Sequence, residues 1–307
     1  MAFTLFDMHV GAHEKVGTIT YGITSASTNT LSVEDRTESS AHSDDQFNGG
    51  IFYLINDANT TANAGQFRRI IDYDASSGQF TWTTAFGTSI VAGSEYGIAT
   101  PEFNFTLMNR LSNAALRALG PFIYTARAIA SSANQRVYTI STVEAGDGAG
   151  TFGKYSKPFL VEIQGRIGSS LDDPDWSELH GWKSVPTTAG AAGGIEFPRY
   201  LPSNRDVRVW YEDHHALLIG STARVDERIH PELATLMLVE KMYEFRNSRS
   251  RGAQEFDVQR WNDAKRQTAE ARVRWPIERT RRQPEINVFG DGRPSQSGAY
   301  PYGGSLE

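Results

Sequence analysis

The chain has 307 residues, of which 39% are hydrophobic and 11% aromatic, so it can bury a core in one large domain or in two to three smaller ones. It contains no cysteine, which excludes disulfides and thiolate zinc sites, and no apolar run reaches the roughly 18 to 20 residues that cross a bilayer. The formal net charge of −6 at pH 7 disfavours general binding to nucleic acid.

The first residues, MAFTLFDMHVGAHEK, lack the basic region and the long apolar region of a signal peptide. We therefore expect a protein that is made and used without export through a Sec pathway. Residues 1–99 are predicted to form a small all-β domain. Short runs rich in Val, Ile, Thr and aromatic residues alternate there with Gly, Asn, Ser and Asp clusters, which is typical of a small barrel or sandwich.

The clearest predicted hairpin lies in QFRRIIDYDASSGQFTWTTAF, residues 66–86. Tyr73 falls before the turn, and Phe80 alternates with polar neighbours after it. The turn is Ala75-Ser76-Ser77-Gly78, in which the glycine suits a positive φ. The sequence therefore predicts two strands joined by a tight turn.

Residues 100–220 are predicted to hold one helix followed by a second β unit. Thr100 can cap this helix, Pro101 fits its first position, and Gly120-Pro121 ends it. Strand patterns return from residue 121 to residue 212. Two glycine-rich loops, EAGDGAGTFGKYS and TTAGAAGG, interrupt them.

Residues 221–282 are predicted to be a helical docking segment, and residues 283–307 a flexible Gly/Pro tail. One helix begins near Pro231, and a second runs from about Gln254 to Trp275. The fold class is therefore α+β, with a β-rich N-terminal barrel or sandwich, a second β unit, one central helix and a C-terminal helix pair. The candidate protein-docking residues are Leu236, Val239, Met242, Trp261, Arg272 and Trp275.

The second C-terminal helix is basic. Between residues 260 and 282, eight Lys/Arg residues stand against three acids, so binding to phosphates is an alternative. Asp263 with Arg266, and Glu270 with Arg274, can form intrahelical ion pairs. These pairs favour a solvated or protein-docking helix face.

Histidine clusters could carry chemistry, and each has a simpler interpretation. His9 and His13 are four residues apart, but Gly11 and the strand patterns nearby oppose a helix, so we expect an N-terminal loop and no metal site. In Asp213-His214-His215 the two histidines would point to opposite faces of a strand, so we expect an ordinary strand end.

Other motifs also lack the pattern that a site requires. Asp172, Asp173 and Asp175 could bind calcium through oxygen ligands, but Pro174 interrupts the alternation of a calcium loop and favours a turn. The glycine-rich residues 145–153 contain no phosphate-binding Gly-Lys-Ser/Thr. We expect no catalytic residue, no metal and no cofactor, and hence no enzyme.

Two stretches carry a resemblance to a known class of proteins. The segment GIFYLINDANTTANAGQFRRIIDYDASSGQFTWTTAFGTSIVAGSEYGIATP resembles a small β module that recurs in virion proteins of tailed bacteriophages. The later run HPELATLMLVEKMYEFRN, with the charged helix after it, is similar to the closing helices of phage neck or head-to-tail connector (adaptor) proteins.

This resemblance implies a virion protein, made in the bacterial host cytoplasm, that assembles into a ring of identical subunits. Its implied partners are further copies of the chain and the portal and tail proteins of the particle. DNA would be passing cargo, and no membrane would be involved.

Two alternatives belong to other classes. A receptor- or glycan-binding tail or capsid-decorating protein would use aromatic platforms at Trp176, Trp182, Trp210 and Tyr211, although core or interface roles suit these residues better. A cell-wall hydrolase would need a pair of carboxylates, and nothing in the sequence singles one out.

Overall fold

The structure is a computed structural model. It describes residues 2–27, 29–38, 42–128, 135–141, 157–164, 176–185, 194–203, 205–249, 255–277, 286–288 and 294–296. The α+β class predicted from the sequence is confirmed, and the β-sheets are open, without barrel closure, in the part of the chain described. The chain divides into two compact units, one formed by Met1–Leu119 with Leu217–Ile277 and the other by Gly120–Ala216 with Glu278–Glu307.

In its described residues, the first unit contains four α-helices and eight strands. The helices are α1 Leu5–Val16, α2 Phe105–Arg117, α3 Pro231–Arg249 and α4 Glu255–Arg274. The strands are β1 Ile19–Ile23, β2 Ala26–Ser27, β3 Ser32–Glu34, β4 Ile51–Asn56, β5 Gln66–Arg69, β6 Asp72–Asp74, β7 Gln79–Thr81 and β8 Glu95–Ala99.

The strands form two antiparallel four-stranded sheets, in the orders β1-β8-β4-β5 and β2-β3-β7-β6. Aromatic side chains from both sheets share one core, in which Phe52 of β4 stacks on Tyr96 of β8 and lies near Phe80 of β7. The two sheets therefore form a sandwich, because each sheet buries one face against the other.

The predicted hairpin is confirmed at its turn. Tyr73 of β6 pairs with Phe80 of β7, and Gly78 closes the turn at a φ of 67°. The prediction of a single strand before the turn is wrong, however. Ile70 and Ile71 separate β5 from β6, and these two strands belong to different sheets.

The N-terminal segment corrects the all-β prediction for residues 1–99, because α1 is a twelve-residue helix. Thr4 caps it through a reciprocal pair of hydrogen bonds with Asp7, and Gly17 ends it at a φ of 72°. Gly11 does not break this helix. A Cβ at residue 11 would lie 3.3 Å from Cγ2 of Thr235 in α3, so the glycine allows two helices to approach closely.

The central helix begins later than predicted. Residues Pro101–Phe103 form a 3₁₀ turn, and Thr100 makes no side-chain capping bond. The α-helix starts at Phe105, where the Asn104 side chain accepts a hydrogen bond from the backbone N–H of Leu107 at 3.0 Å.

The C-terminal helix pair is confirmed. A seam of small buried residues on α4, Ala264, Thr268 and Ala271, packs against α3. Thr268 donates its hydroxyl proton to the carbonyl of Leu236 at 3.3 Å. None of the helices in the described part of the chain is long and apolar enough to cross a bilayer.

The second unit contains β9 Phe122–Ala128, β10 Val137–Ser141, β11 Lys157–Gln164, β12 Trp176–Glu178, β13 Lys183–Val185, β14 Gly194–Glu196, β15 Val207–Asp213, β16 Ile286–Val288 and β17 Pro294–Gln296. Seven of these strands form one sheet, in the order β12-β11-β15-β9-β10-β14-β13. The pairing of β16 with β17, within the stretch expected to be a flexible tail, was not predicted from the sequence.

Candidate docking surface

A concave site in the first unit lies at the N-terminal end of α2. It has a volume of about 540 Å³. The residues that line it come from the turn before β4, the end of β5, the start of α2 and the end of α3: Asn48, Gly49, Arg69, Pro101, Asn104, Phe105, Thr106, Leu107, Arg110, Phe245 and Arg249. We call this site the basic pocket.

Three arginines, Arg69, Arg110 and Arg249, give the basic pocket its charge. None of them forms an ion pair with a carboxylate in the described part of the chain, and no acidic residue is part of the lining. Glu102 is near in sequence, but it is held by Arg246 through two hydrogen bonds of 2.5 and 2.6 Å. A cluster of three positive charges without counter-charge attracts an anionic partner.

The shape and lining of the basic pocket define the chemistry that fits it. Phe105, Leu107 and Phe245 supply apolar walls, and the guanidinium groups supply planar, forked donors. Such donors match carboxylate or phosphate oxygens, while the walls accept an apolar group next to the anion. The pocket therefore suits a segment that carries both acidic and apolar side chains.

A second concave site of about 420 Å³ continues along α2 and has mostly apolar walls. Leu217 and Ile219 protrude beside it, with 59% and 79% of their surface exposed, whereas Leu218 between them is 5% exposed. Arg110 lines both sites. We call the exposed pair Leu217 and Ile219 the apolar ridge, and the ridge together with the basic pocket the α2 surface.

The apolar ridge is held in place by one side chain of α2. Asn113 donates to the carbonyl of Leu218 at 2.9 Å and accepts from its backbone N–H at 2.7 Å. Both backbone groups of Leu218 are thus paired as they would be in a sheet. This fixes an extended segment whose flanking side chains stay exposed.

The docking residues expected from the sequence lie in two environments. Leu236, Val239 and Met242 are buried in α3, in the interior of the first unit, so they do not present a free surface. Trp261 is half-buried, and the Lys265 ammonium lies 3.4 Å from the centre of its ring. Leu236, Val239 and Met242 therefore serve packing within the chain.

The other two predicted docking residues lie near the end of α4. Arg272 is exposed. The Trp275 ring stacks on His230, with the ring centres 3.7 Å apart, and its indole N–H donates to Glu232 at 3.1 Å. The α2 surface is not predictable from the sequence, since its charges come from segments that are far apart in the chain.

The two N-terminal histidines occupy a different position from the expected loop. His9 and His13 lie on one face of α1, and both are fully buried. Nε2 of His9 is 2.8 Å from the Ser112 hydroxyl, and Nδ1 of His13 is 2.7 Å from the Thr18 hydroxyl. Burial lowers the pKa of each imidazole from 6.5 to about 3, and the other histidine contributes to the shift at His9.

Tyr53 of β4 packs edge-on against both rings, with ring centres 6.4 Å away from His9 and 5.7 Å away from His13. Nδ1 of His9, Nε2 of His13 and the Tyr53 hydroxyl are buried with no hydrogen-bond partner among the described residues. Within the same part of the chain, no three His, Asp or Glu residues are placed to hold a metal ion. The cluster forms part of the core between α1 and the sheet.

The remaining candidate residues lie in the second unit. His215 is buried, with Nδ1 2.8 Å from the carbonyl of Ala216, while His214 is exposed. Asp172, Asp173 and Asp175, and the glycine-rich residues 145–153, lie outside the described residues.

The aromatic residues considered for glycan binding are also in the second unit. Tyr211 is fully buried and so is not a platform. The Arg208 guanidinium lies 4.2 Å from the centre of the Trp176 ring and covers one of its faces. Trp210 donates its indole N–H to Glu162 at 2.7 Å, and Arg208 pairs with the same carboxylate at 2.5 Å. Trp176, Trp210, Arg208 and Glu162 therefore contact one another on the sheet.

Comparison of the sequence with known protein families gave no match, and comparison with curated proteins gave none either.

Proposed function

We propose that the chain is a structural component of a tailed-phage particle that forms a ring in the neck or head-to-tail connection, through which DNA passes. The observation that carries the proposal is the α2 surface. It places three arginines without counter-charge next to an exposed apolar ridge, a combination suited to contact with another protein subunit.

The charge of the chain favours a protein partner over DNA at this surface. The net charge is −6, so the long-range field repels nucleic acid while the local pocket attracts carboxylates. An acidic body also limits adhesion of DNA that moves through a channel.

The two segments that resemble phage virion proteins fold as separate parts of the first unit. The β module contributes β4 to β8, of which β4, β6, β7 and β8 supply side chains to the aromatic core, and the closing helices are α3 and α4. A rigid sandwich joined to a packed helix pair provides a stable body for repeated contacts, as a ring subunit requires.

The test is the mass of the purified chain by light scattering over a range of concentrations, followed by negative-stain imaging. We expect rings of defined order, or ring formation on addition of portal or tail rings. Arg110→Glu reverses a charge that belongs to both concave sites, and it should lower the population of assembled particles at least tenfold. Lys183→Glu, which changes an exposed lysine on β13, is the matched control and should assemble normally.

A chain that stays monomeric with portal and tail rings present contradicts the proposal. Compact trimers would instead favour a spike or a capsid-decorating protein. Equal assembly of the Arg110→Glu and Lys183→Glu variants would show that the α2 surface takes no part in assembly.

A further inference from the structure

The two edges of one sheet in the first unit differ in chemistry. In the order β1-β8-β4-β5, strand β1 lies at one edge and β5 at the opposite edge. No other strand in the described part of the chain pairs with the outer side of either one. The β1 edge therefore offers backbone groups to a further strand, whereas at the β5 edge the Arg68 guanidinium donates to the carbonyl of Phe67 at 2.9 Å.

The β1 edge exposes apolar and acidic side chains together. Tyr21 and Ile23 are 49% and 58% exposed, which is unusual for large apolar side chains on a strand next to a core. The Tyr21 hydroxyl donates to Glu14 of α1 at 2.5 Å, and Ile23 pairs in register with the exposed Glu95. Lys15 is next to Glu14 in the chain, so the net negative charge of this edge is smaller than the net positive charge of the basic pocket.

The β5 edge has the opposite charge. Arg69 ends β5 and lines the basic pocket with Arg110 and Arg249. Arg68, one residue earlier, holds the carbonyls of Thr84 and Ala85 at 2.9 and 3.0 Å and so has a structural role. The pocket walls of Phe105 and Phe245 match the apolar part of the β1 edge.

We propose that the occupant of the basic pocket is the β1 edge of a second copy of this chain. Glu14 and Glu95 of one copy meet the pocket arginines of the next, and Tyr21 and Ile23 contact its apolar walls. This inference rests on the proposed function, since it names the contact by which the ring subunits join.

The geometry favours a head-to-tail contact over a closed dimer. The two surfaces share no residue, so each copy can bind one neighbour through its β1 edge and another through its basic pocket. Such a heterologous contact is repeated around a ring until it closes.

The absence of cysteine from the sequence allows a direct test by disulfide crosslinking. In the double variant Ile23→Cys/Thr106→Cys, one cysteine lies on the β1 edge and the other in the lining of the basic pocket. We expect oxidation of the concentrated protein to give a ladder of dimers, trimers and higher species. Each single variant can give dimers at most, and the pair Ile23→Cys/Ala269→Cys, with the second cysteine on the exposed side of α4, is the matched control.

Charge reversal provides an independent measurement that does not depend on disulfide geometry. Glu95→Arg alone and Arg110→Glu alone should each reduce crosslinking in the Ile23→Cys/Thr106→Cys background about tenfold, and combining them should restore most of it. Crosslinking no greater than in the Ala269 control overturns this contact. If light scattering then still shows rings, the proposed function stands and the subunits join elsewhere; if no assembly occurs with portal and tail rings either, both proposals fail.

Discussion

The side chain of Asn113 in α2 pairs with both backbone groups of Leu218, donating to its carbonyl and accepting from its N–H. We expect Asn113→Ala to lower the free energy of unfolding by about 1 to 3 kcal/mol, since it leaves two largely buried backbone groups without their partner. Hydrogen exchange measured by mass spectrometry should also show faster exchange in the peptide that contains Leu218.

Asn109 provides a control one turn earlier on the same helix. It is half-buried like Asn113, but its side-chain oxygen has no hydrogen-bond partner among the described residues. Asn109→Ala should therefore change stability by less than about 0.5 kcal/mol and leave exchange at Leu218 unaltered. Equal effects of the two variants would show that Asn113 does not position the apolar ridge.

The buried histidines predict loss of stability in acid. In the folded chain the pKa of His9 and of His13 is about 3, whereas in the unfolded chain each binds a proton near 6.5. The unfolded state therefore binds more protons at any pH between these values. The stabilisation is complete above pH 6.5 and decreases as the pH falls toward 3, by up to about 2.7 kcal/mol per pH unit for two protons.

Urea unfolding at a series of pH values measures this slope. The double variant His9→Gln/His13→Gln should lose the part of the slope that two protons cause. His214→Gln replaces an exposed histidine and should keep it. A wild-type stability that does not change between pH 6.5 and pH 4.5 would mean that both imidazoles reach solvent in the folded chain.

Two buried tyrosines on adjacent strands should respond in opposite ways to loss of the hydroxyl. The Tyr96 hydroxyl donates to the buried carboxylate of Asp35 at 2.5 Å, so Tyr96→Phe should cost about 1 to 3 kcal/mol. The Tyr53 hydroxyl is buried without a partner among the described residues, and burial raises its pKa. Tyr53→Phe should leave stability unchanged or raise it slightly, which urea unfolding of both variants at pH 7 would measure.

Local sequence signals predicted those elements that local interactions determine. Pro231 begins α3, and Gly78 ends the turn between β6 and β7. Proline narrows the range of backbone conformations at its own position, and glycine widens it. The signal failed at α1. The sequence predicts that Gly11 breaks a helix, whereas in the structure its role is set by Thr235 of α3, a residue more than 200 positions away.

The candidate site was less predictable than the fold. Sequence shows that Arg69, Arg110 and Arg249 are charged, but only the folded chain places them around one pocket. In the same way, the broad apolar arc of α3 suggested docking residues, and it is covered by α1, α2 and α4 of the same chain. Hydrophobic periodicity identifies a face that must be buried, without identifying whether this chain or a partner buries it.

A glycine at the start of β4 supports the contact between the two central strands of the first sheet. A Cβ at Gly50 would lie 2.4 Å from the carbonyl oxygen of Ala99 on β8 and 2.9 Å from that of Phe47. Both neighbours are backbone atoms, so the Ala99 carbonyl can move only if β8 separates from β4, and the Phe47 carbonyl only if the turn before β4 shifts. Gly50→Ala should therefore lower the free energy of unfolding by about 3 kcal/mol, measured by urea unfolding.

Gly220 is the matched position for this experiment. It also lies outside the regular elements, and a Cβ there would meet no atom within 4 Å. Gly220→Ala should change stability by less than about 0.5 kcal/mol. Equal stability of the two glycine variants would contradict the close approach of Gly50 to Ala99. It would also contradict the pairing of Ile51 with Ala99 between β4 and β8.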